Sequence, residues 1–175
     1  IIRPTLKGLS YIKTKYVGFL YTGLMIVNNE PFLIEYNVRM GDPECQTIIP
    51  KLKTDLYKIF LACCEERLNQ IKLEWYNKKS LCIVLCSKGY PEDFKKNVEI
   101  KNLNKITINE NKLLFHAGTI KKNNKIYANG GRVLNFVSLS KNFISARNSI
   151  INNIYRLNWT SGFFRRDIGH KVIKK

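Results

Sequence analysis

The chain has 175 residues, 45% hydrophobic and 25% charged, enough to bury a sizeable core as one domain or one and a half. No apolar run approaches the roughly 20 residues of a membrane span, and the first residues lack a signal-peptide pattern, so a soluble chain is expected. Lys and Arg number 30 against 13 Asp and Glu, a net charge of +17 that makes a basic nucleic-acid-binding domain the natural rival to any other reading. Yet the lysines are scattered among Asn and Ile, as at Lys121-Lys122-Asn123-Asn124-Lys125, without interleaved aromatic residues on which bases could stack. That pattern fits lysine enrichment at exposed positions and argues against a nucleic-acid partner. The five cysteines form no Cys-x-x-Cys pair, which fits a reducing cytoplasm and excludes a disulfide or zinc framework.

Pro4 to Lys13 reads as a short amphipathic helix, with Leu6, Leu9 and Ile12 on one side. Val17 to Val27, rich in β-branched and aromatic residues, predicts a strand. Asn28-Asn29-Glu30-Pro31 predicts a turn that returns the chain as the second arm of a hairpin. In that returning arm apolar and polar residues alternate. Glu35, Asn37 and Arg39 are therefore expected on one face, with Ile34, Tyr36 and Val38 on the other. Met40-Gly41 breaks the alternation. Asp42-Pro43-Glu44 has the features of a helix start, with a capping side chain, a proline at the first helical position and an acid in the first turn.

The polar face lines up a carboxylate, an amide oxygen and a guanidinium. Mg²⁺ prefers hard oxygen ligands and takes few of them from protein when phosphates and water supply the rest, which suits Glu35 and Asn37 as candidate metal ligands. Arg39 is the candidate for neutralising charge on a phosphoryl group. Polar residues on alternate strand positions also make an ordinary solvated sheet face, and the pattern alone leaves both readings open.

A helix is expected from Thr54 to Asn69, with Leu52, Leu56, Ile59, Phe60, Cys63 and Leu68 forming a core stripe against the sheet. The composition shift at residues 72–79 marks the expected domain boundary, giving domains 1–75 and 76–175. Beyond it, Leu81 to Cys86 predicts a buried strand, Ser87 to Pro91 a turn, and Leu113 to Ile120 a strand. Asn123-Asn124 is a hairpin tip before a further strand, Lys125 to Ala128. Val133 to Leu139 predicts a strand and Lys141 to Leu157 a helix, with Phe143, Ala146, Ile150, Ile154 and Leu157 on one face. Gly130-Gly131-Arg132 could offer backbone N–H groups and a guanidinium to a phosphate, or be a structural turn. Arg165-Arg166 could read a sugar phosphate or pair with Asp167. His116 is read as a hydrogen-bonded structural histidine.

Several strings carry a family resemblance. Tyr16-Val-Gly18-Phe-Leu-Tyr21-Thr-Gly23-Leu24-Met25-Ile26 is followed by Glu35-Tyr-Asn37-Val-Arg39-Met-Gly41-Asp42-Pro43-Glu44-Cys-Gln46. Lys88-Gly89-Tyr90-Pro91, Phe115-His116-Ala117-Gly118-Thr119, Asn129-Gly130-Gly131-Arg132-Val133-Leu134 and Phe164-Arg165-Arg166-Asp167-Ile168-Gly169 come after in order. Together they resemble the C-terminal portion of the phosphoribosylamine–glycine ligases, or glycinamide ribonucleotide synthetases, of the ATP-grasp superfamily. The resemblance implies an α+β fold, in which the C-terminal part of an ATP-grasp core, an antiparallel sheet with helices, precedes a small mixed, β-rich domain. It implies ATP-dependent ligation of glycine to 5-phosphoribosylamine in purine synthesis, with ATP as substrate and Mg²⁺ or Mn²⁺ on Glu35 and Asn37. Arg39 would be catalytic, and Asp42, Pro43, Glu44 and Arg132 would bind substrate. A monomeric cytoplasmic enzyme is implied, with no membrane and no nucleic acid. Two departures stand out. No acidic metal ligand lies between Val17 and Val27, and Met40 occupies a position where the family has another apolar residue. Because residue 1 is Ile and the resemblance starts mid-family, a C-terminal fragment inactive by itself is expected. Another ATP-grasp carboxylate–amine ligase is the alternative within the superfamily.

Overall fold

A computed structural model describes residues 1–173. The fold is α+β with antiparallel sheets, and the chain divides into two compact units, Ile1–Cys45 with Leu52–Trp75, and Gln46–Lys51 with Tyr76–Lys175.

In the first unit, α1 (Ile2–Tyr11) carries Pro4 in its opening turn, where a missing N–H breaks no helical bond. Strands β1 (Tyr21–Val27) and β2 (Glu30–Asn37) form the expected antiparallel hairpin. Its turn is tighter than anticipated. Only Asn28 and Asn29 lie between the strands, at φ +51° and +65°, a left-handed pair that asparagine tolerates better than other side chains. Glu30 and Pro31 already pair with Val27 and Ile26. β1 is also shorter than the predicted Val17 to Val27. Gly18, at φ +141°, keeps Val17 to Leu20 outside the ladder, and Phe19 instead meets Phe60 edge to face at 5.7 Å.

The hairpin register shifts between Gly23 and Leu24. Leu24 pairs with Leu33, whereas Gly23 pairs with Glu35, so Ile34 is an extra, bulged residue, 63% exposed. After β2 ends at Asn37 the chain bends, so Arg39 is not a strand residue and does not continue the Glu35 and Asn37 row. Its guanidinium Nη1 donates to the Met40 carbonyl at 2.9 Å. Helix α2 (Glu44–Ile48) begins one step later than predicted. Asp42 and Pro43 form a turn through a cis peptide bond, and the Cys45 N–H bonds the Gly41 carbonyl at 2.9 Å.

Helix α3 (Leu56–Cys64) is capped by Asp55, whose carboxylate accepts from the Tyr57 and Lys58 N–H groups at 2.8 and 3.3 Å. It stops well short of Asn69. Glu66 turns left-handed at φ +57°, the Arg67 N–H returns to the Ala62 carbonyl at 2.9 Å, and the Glu66 N–H to that of Cys63 at 3.2 Å. This is a Schellman ending built without glycine. Nor does the apolar stripe make the expected core. Ile59, Phe60, Cys63, Cys64 and Leu68 line an open recess of about 380 Å³ with Val17, Gly18 and Phe19, and only Ala62 of the helix is buried.

In the second unit, β3 (Lys79–Ser87), β5 (Lys112–His116), β8 (Arg132–Ser140) and β9 (Gly162–Phe163) form a sheet in the order β5-β8-β3-β9. A smaller sheet joins β4 (Val98–Glu99), β7 (Lys125–Ala128) and β6 (Thr119–Lys122). Helix α4 (Phe143–Leu157) starts at Asn142, whose side chain accepts from the Ser145 N–H at 2.8 Å, and buries Ala146, Ile150, Ile154 and Leu157. These pack with Leu81, Ile83, Leu85, Leu134 and Phe136 into one core. Cys82, Val137 and Leu139 are buried in a second cluster, which is why the Leu81 to Cys86 run is apolar throughout instead of alternating. The predicted single strand Leu113 to Ile120 is two strands in different sheets. The chain changes sheets at Ala117-Gly118, where a Cβ on Gly118 would lie 2.6 Å from the Gly130 Cα, so the two backbones can meet only as glycines. A short helix α5 (His170–Ile173) ends the described chain.

Candidate active site

Cross-strand partners share a sheet face, so the register Tyr21↔Asn37 and Gly23↔Glu35 brings these four residues to one side of the hairpin. Glu35 and Asn37 touch, the Asn37 amide nitrogen donating to Glu35 Oε1 at 3.0 Å. That bond orients the Asn37 amide and leaves its oxygen and the second Glu35 oxygen as acceptors. Gly23 makes room for the carboxylate, since a Cβ there would stand 3.0 Å from Glu35 Cγ. Two hard oxygen donors on adjacent same-face positions fit a Mg²⁺ or Mn²⁺ ion that takes its remaining ligands from phosphate and water. Among the described residues no group of three His, Cys, Asp or Glu side chains could hold a metal, so a site enclosed by protein ligands alone is absent there.

Glu44, the first residue of α2, belongs to the same neighbourhood. Its Oε1 accepts from the Tyr21 hydroxyl at 3.2 Å, and a Cβ on Gly41 would sit 2.3 Å from its Oε2, so the carboxylate occupies the space over the glycine. The negative charge of Glu44 pushes the Tyr21 phenol above its ordinary pKa, with smaller contributions from burial, the hydrogen bond and Glu35. Sequence reading missed Tyr21. Counting outward from the Asn28-Asn29 turn without the bulge places Tyr21 opposite Tyr36, on the wrong face. Arg39 is exposed and its guanidinium donates to the neighbouring carbonyl of Met40, Asp42 is exposed, and Pro43 is half-buried.

Arg132, in the second unit, opens β8. Its Nε donates to the Tyr90 hydroxyl at 3.4 Å, and the Tyr90 ring lies so close over Gly131 that a Cβ there would be 2.0 Å from a ring carbon. The Gly-Gly pair therefore has a steric reason, with Gly130 facing Gly118 and Gly131 facing Tyr90. His116 Nδ1 lies 2.9 Å from the Thr119 hydroxyl, the structural hydrogen bond expected of it, although the residue is exposed. Arg165 pairs with Asp167 in two hydrogen bonds, at 3.0 and 2.5 Å, so this arginine closes on its own neighbour.

Comparison with known proteins accounts for nearly the whole chain. Residues 80–171 match the family model described as Phosphoribosylglycinamide synthetase, C domain, and residues 1–45 match Phosphoribosylglycinamide synthetase, ATP-grasp (A) domain. The phosphoribosylamine–glycine ligase of Brucella melitensis is 38% identical over 175 residues, covering 100% of this chain and 41% of that protein. That of Fusobacterium nucleatum is 39% identical over 171 residues, covering 97% and 40%. The chloroplastic enzyme of Arabidopsis thaliana is 39% identical over 179 residues, covering 100% and 34%. The crystal structure of phosphoribosylamine–glycine ligase from Thermotoga maritima superposes with a TM-score of 0.74 at 32% identity, covering 94% of this chain and 40% of that one. The chain thus spans about 40% of the length of the bacterial relatives it matches. With a matched hairpin that carries the Glu35 and Asn37 pair and a matched second unit, the chain belongs to the phosphoribosylglycinamide synthetase family.

Proposed function

We propose that this chain supplies part of the active site of a ligase that joins glycine to 5-phosphoribosylamine. ATP gives up its γ-phosphoryl group to the glycine carboxylate, forming an acyl phosphate and ADP. The amine of phosphoribosylamine then attacks the acyl carbon and releases inorganic phosphate, leaving glycinamide ribonucleotide. A carboxylate is a poor electrophile and its phosphate anhydride a good one, so positioning and charge neutralisation are the protein's main tasks. Residues 1–75 would be the C-terminal part of the ATP-grasp domain and residues 76–175 the C-terminal domain of a protein that works in the cytoplasm as a monomer.

The observation that carries this reading is the contact between Glu35 and Asn37 on one hairpin face. Those two residues would hold Mg²⁺ or Mn²⁺, which when bound neutralises charge on the nucleotide phosphates. Arg39 keeps further N–H groups beyond the one on the Met40 carbonyl, and these would donate to the phosphoryl group in transit. Asp42, Pro43 and Glu44 would border the substrate pocket, and Arg132 would contact a substrate phosphate. In the full-length protein that carries this chain, ATP should be consumed only when glycine and phosphoribosylamine are both present. Glu35→Gln should cut turnover by at least about 10²-fold without changing the circular dichroism spectrum. ATP use driven by a different acid or amine would reassign the enzyme within the ATP-grasp ligases. Ligase turnover by the 175 residues alone would overturn the proposal that they are only part of the catalytic unit.

A further inference from the structure

Glu44 is half-buried, and among the described residues its carboxylate is met by a hydroxyl but by no lysine or arginine. Two separate places in the sequence fix it. Tyr21, at the start of β1, donates to one oxygen at 3.2 Å. Gly41, in the turn before α2, leaves the space that the other oxygen fills, and the Tyr21 ring closes the side of that space, 3.2 Å from where a Gly41 Cβ would be. Glu44 itself opens α2. Tyr21 is also the cross-strand partner of Asn37, so the residue that orients Glu44 stands beside the candidate metal ligands.

A carboxylate held in one orientation, with one oxygen engaged by a neutral donor and its charge not balanced by a protein cation, is suited to a cationic ligand group. Of the groups in the proposed reaction, the organic cation is the ammonium of the amino acid. We propose that Tyr21 is a positioning residue which, with Gly41, holds the Glu44 carboxylate so that its second oxygen receives the ammonium group of the amino-acid substrate. This rests on the ligase reading above. It adds a determinant of amino-acid binding separate from the nucleotide and metal groups, and it makes Gly41 a steric requirement of the site as well as a turn residue.

The test uses the full-length protein that carries this chain. Tyr21→Phe keeps the ring and removes only the hydroxyl. It should raise KM for glycine about tenfold, as expected for a lost hydrogen bond to a charged group, while kcat and KM for ATP change by less than about twofold. Gly41→Ala, which pushes the carboxylate out of its place, should raise KM for glycine in the same selective way. The geometry has a readout independent of turnover. With tyrosines labelled at Cζ, the Tyr21 resonance should titrate at lower pH in Glu44→Gln than in the unsubstituted protein, because the negative charge that raises the phenol pKa is gone. Losses spread equally over kcat and every KM, an unchanged KM for glycine in Tyr21→Phe, or an unmoved Tyr21 titration would each overturn this assignment while leaving the ligase reading intact. Failure of the unsubstituted protein to use glycine would remove the ligase reading and the assignment with it.

Discussion

The two units differ in where their apolar residues go. Every buried apolar residue among those described, except Ala62, belongs to the second unit. In the first unit, Leu24, Met25, Ile26, Phe32, Leu33 and Ile34 of the hairpin are all exposed. The charges divide as unevenly. Residues 46–51 and 76–175 hold 21 Lys and Arg against 5 Asp and Glu, whereas the first unit holds 9 against 8, so the net charge of +17 is almost entirely a property of the second unit. The candidate metal ligands therefore sit in the unit that is nearly neutral and has almost no core of its own.

The largest expected effect tests that division directly. Phe136 is 2% exposed at the centre of the second unit's core, so Phe136→Ala should destabilise it by about 3–5 kcal/mol. Phe32, 53% exposed on the hairpin, should cost no more than about 0.5 kcal/mol when replaced by Ala. Urea unfolding of the two variants measures both. Equal losses would mean that the hairpin is held as firmly as the core, and the comparison would fail.

A pair of asparagines sharpens the same contrast. Asn153, on α4, is buried and grips the backbone of Thr107 on both sides, accepting from its N–H at 3.0 Å and donating to its carbonyl at 2.9 Å. Asn153→Ala leaves two backbone groups without partners and should cost about 2–3 kcal/mol. Among the described residues the Asn37 side chain has one hydrogen bond, to Glu35, so Asn37→Ala should change stability by less than about 1 kcal/mol while weakening Mn²⁺-nucleotide binding, measurable by the paramagnetic relaxation of water protons. Severe unfolding in Asn37→Ala with unchanged Mn²⁺ binding would make that amide structural.

The sequence carried more of this architecture than of its junctions. Alternation over Glu35 to Asn37, the apolar run from Leu81 and the helical stripe from Phe143 are local signals, and each gives the observed element. The misreadings fall where backbone geometry acts without a residue that announces it. The α3 ending uses Glu66 at positive φ where glycine would have been the signal, and the Gly118 junction divides a continuous apolar segment between two sheets. The contact between Glu35 and Asn37 was legible because they lie two positions apart on one strand. Arg39 was misplaced because its alternation continues in the letters after the strand has ended. Tyr21 was invisible because its link to Glu44 spans 23 positions and depends on the bulge at Ile34.

The smallest effect separates the charged groups of the two units. Asp167 lies on the surface of the second unit, and the hydrogen bonds from Arg165 hold its carboxyl below the ordinary carboxylate pKa, outweighing the slight burial that acts the other way. A carboxyl depressed in the folded state contributes stability above its unfolded pKa and loses it as pH falls through the folded one, so the pair is intact at neutral pH and lost only in acid. Solvent screens this exposed pair, so Arg165→Met should leave the unfolding midpoint at pH 7 almost unmoved. In a carboxyl-carbon NMR titration, the same substitution should shift the Asp167 midpoint upward. Asp167 meets its counter-charge two residues away, whereas Glu44 is held by a phenol and, among the described residues, has no cation opposite it. An Asp167 midpoint indifferent to Arg165 would mean that this surface pair does not form in solution, and Asp167 would then stand, like Glu44, without a cation to balance it.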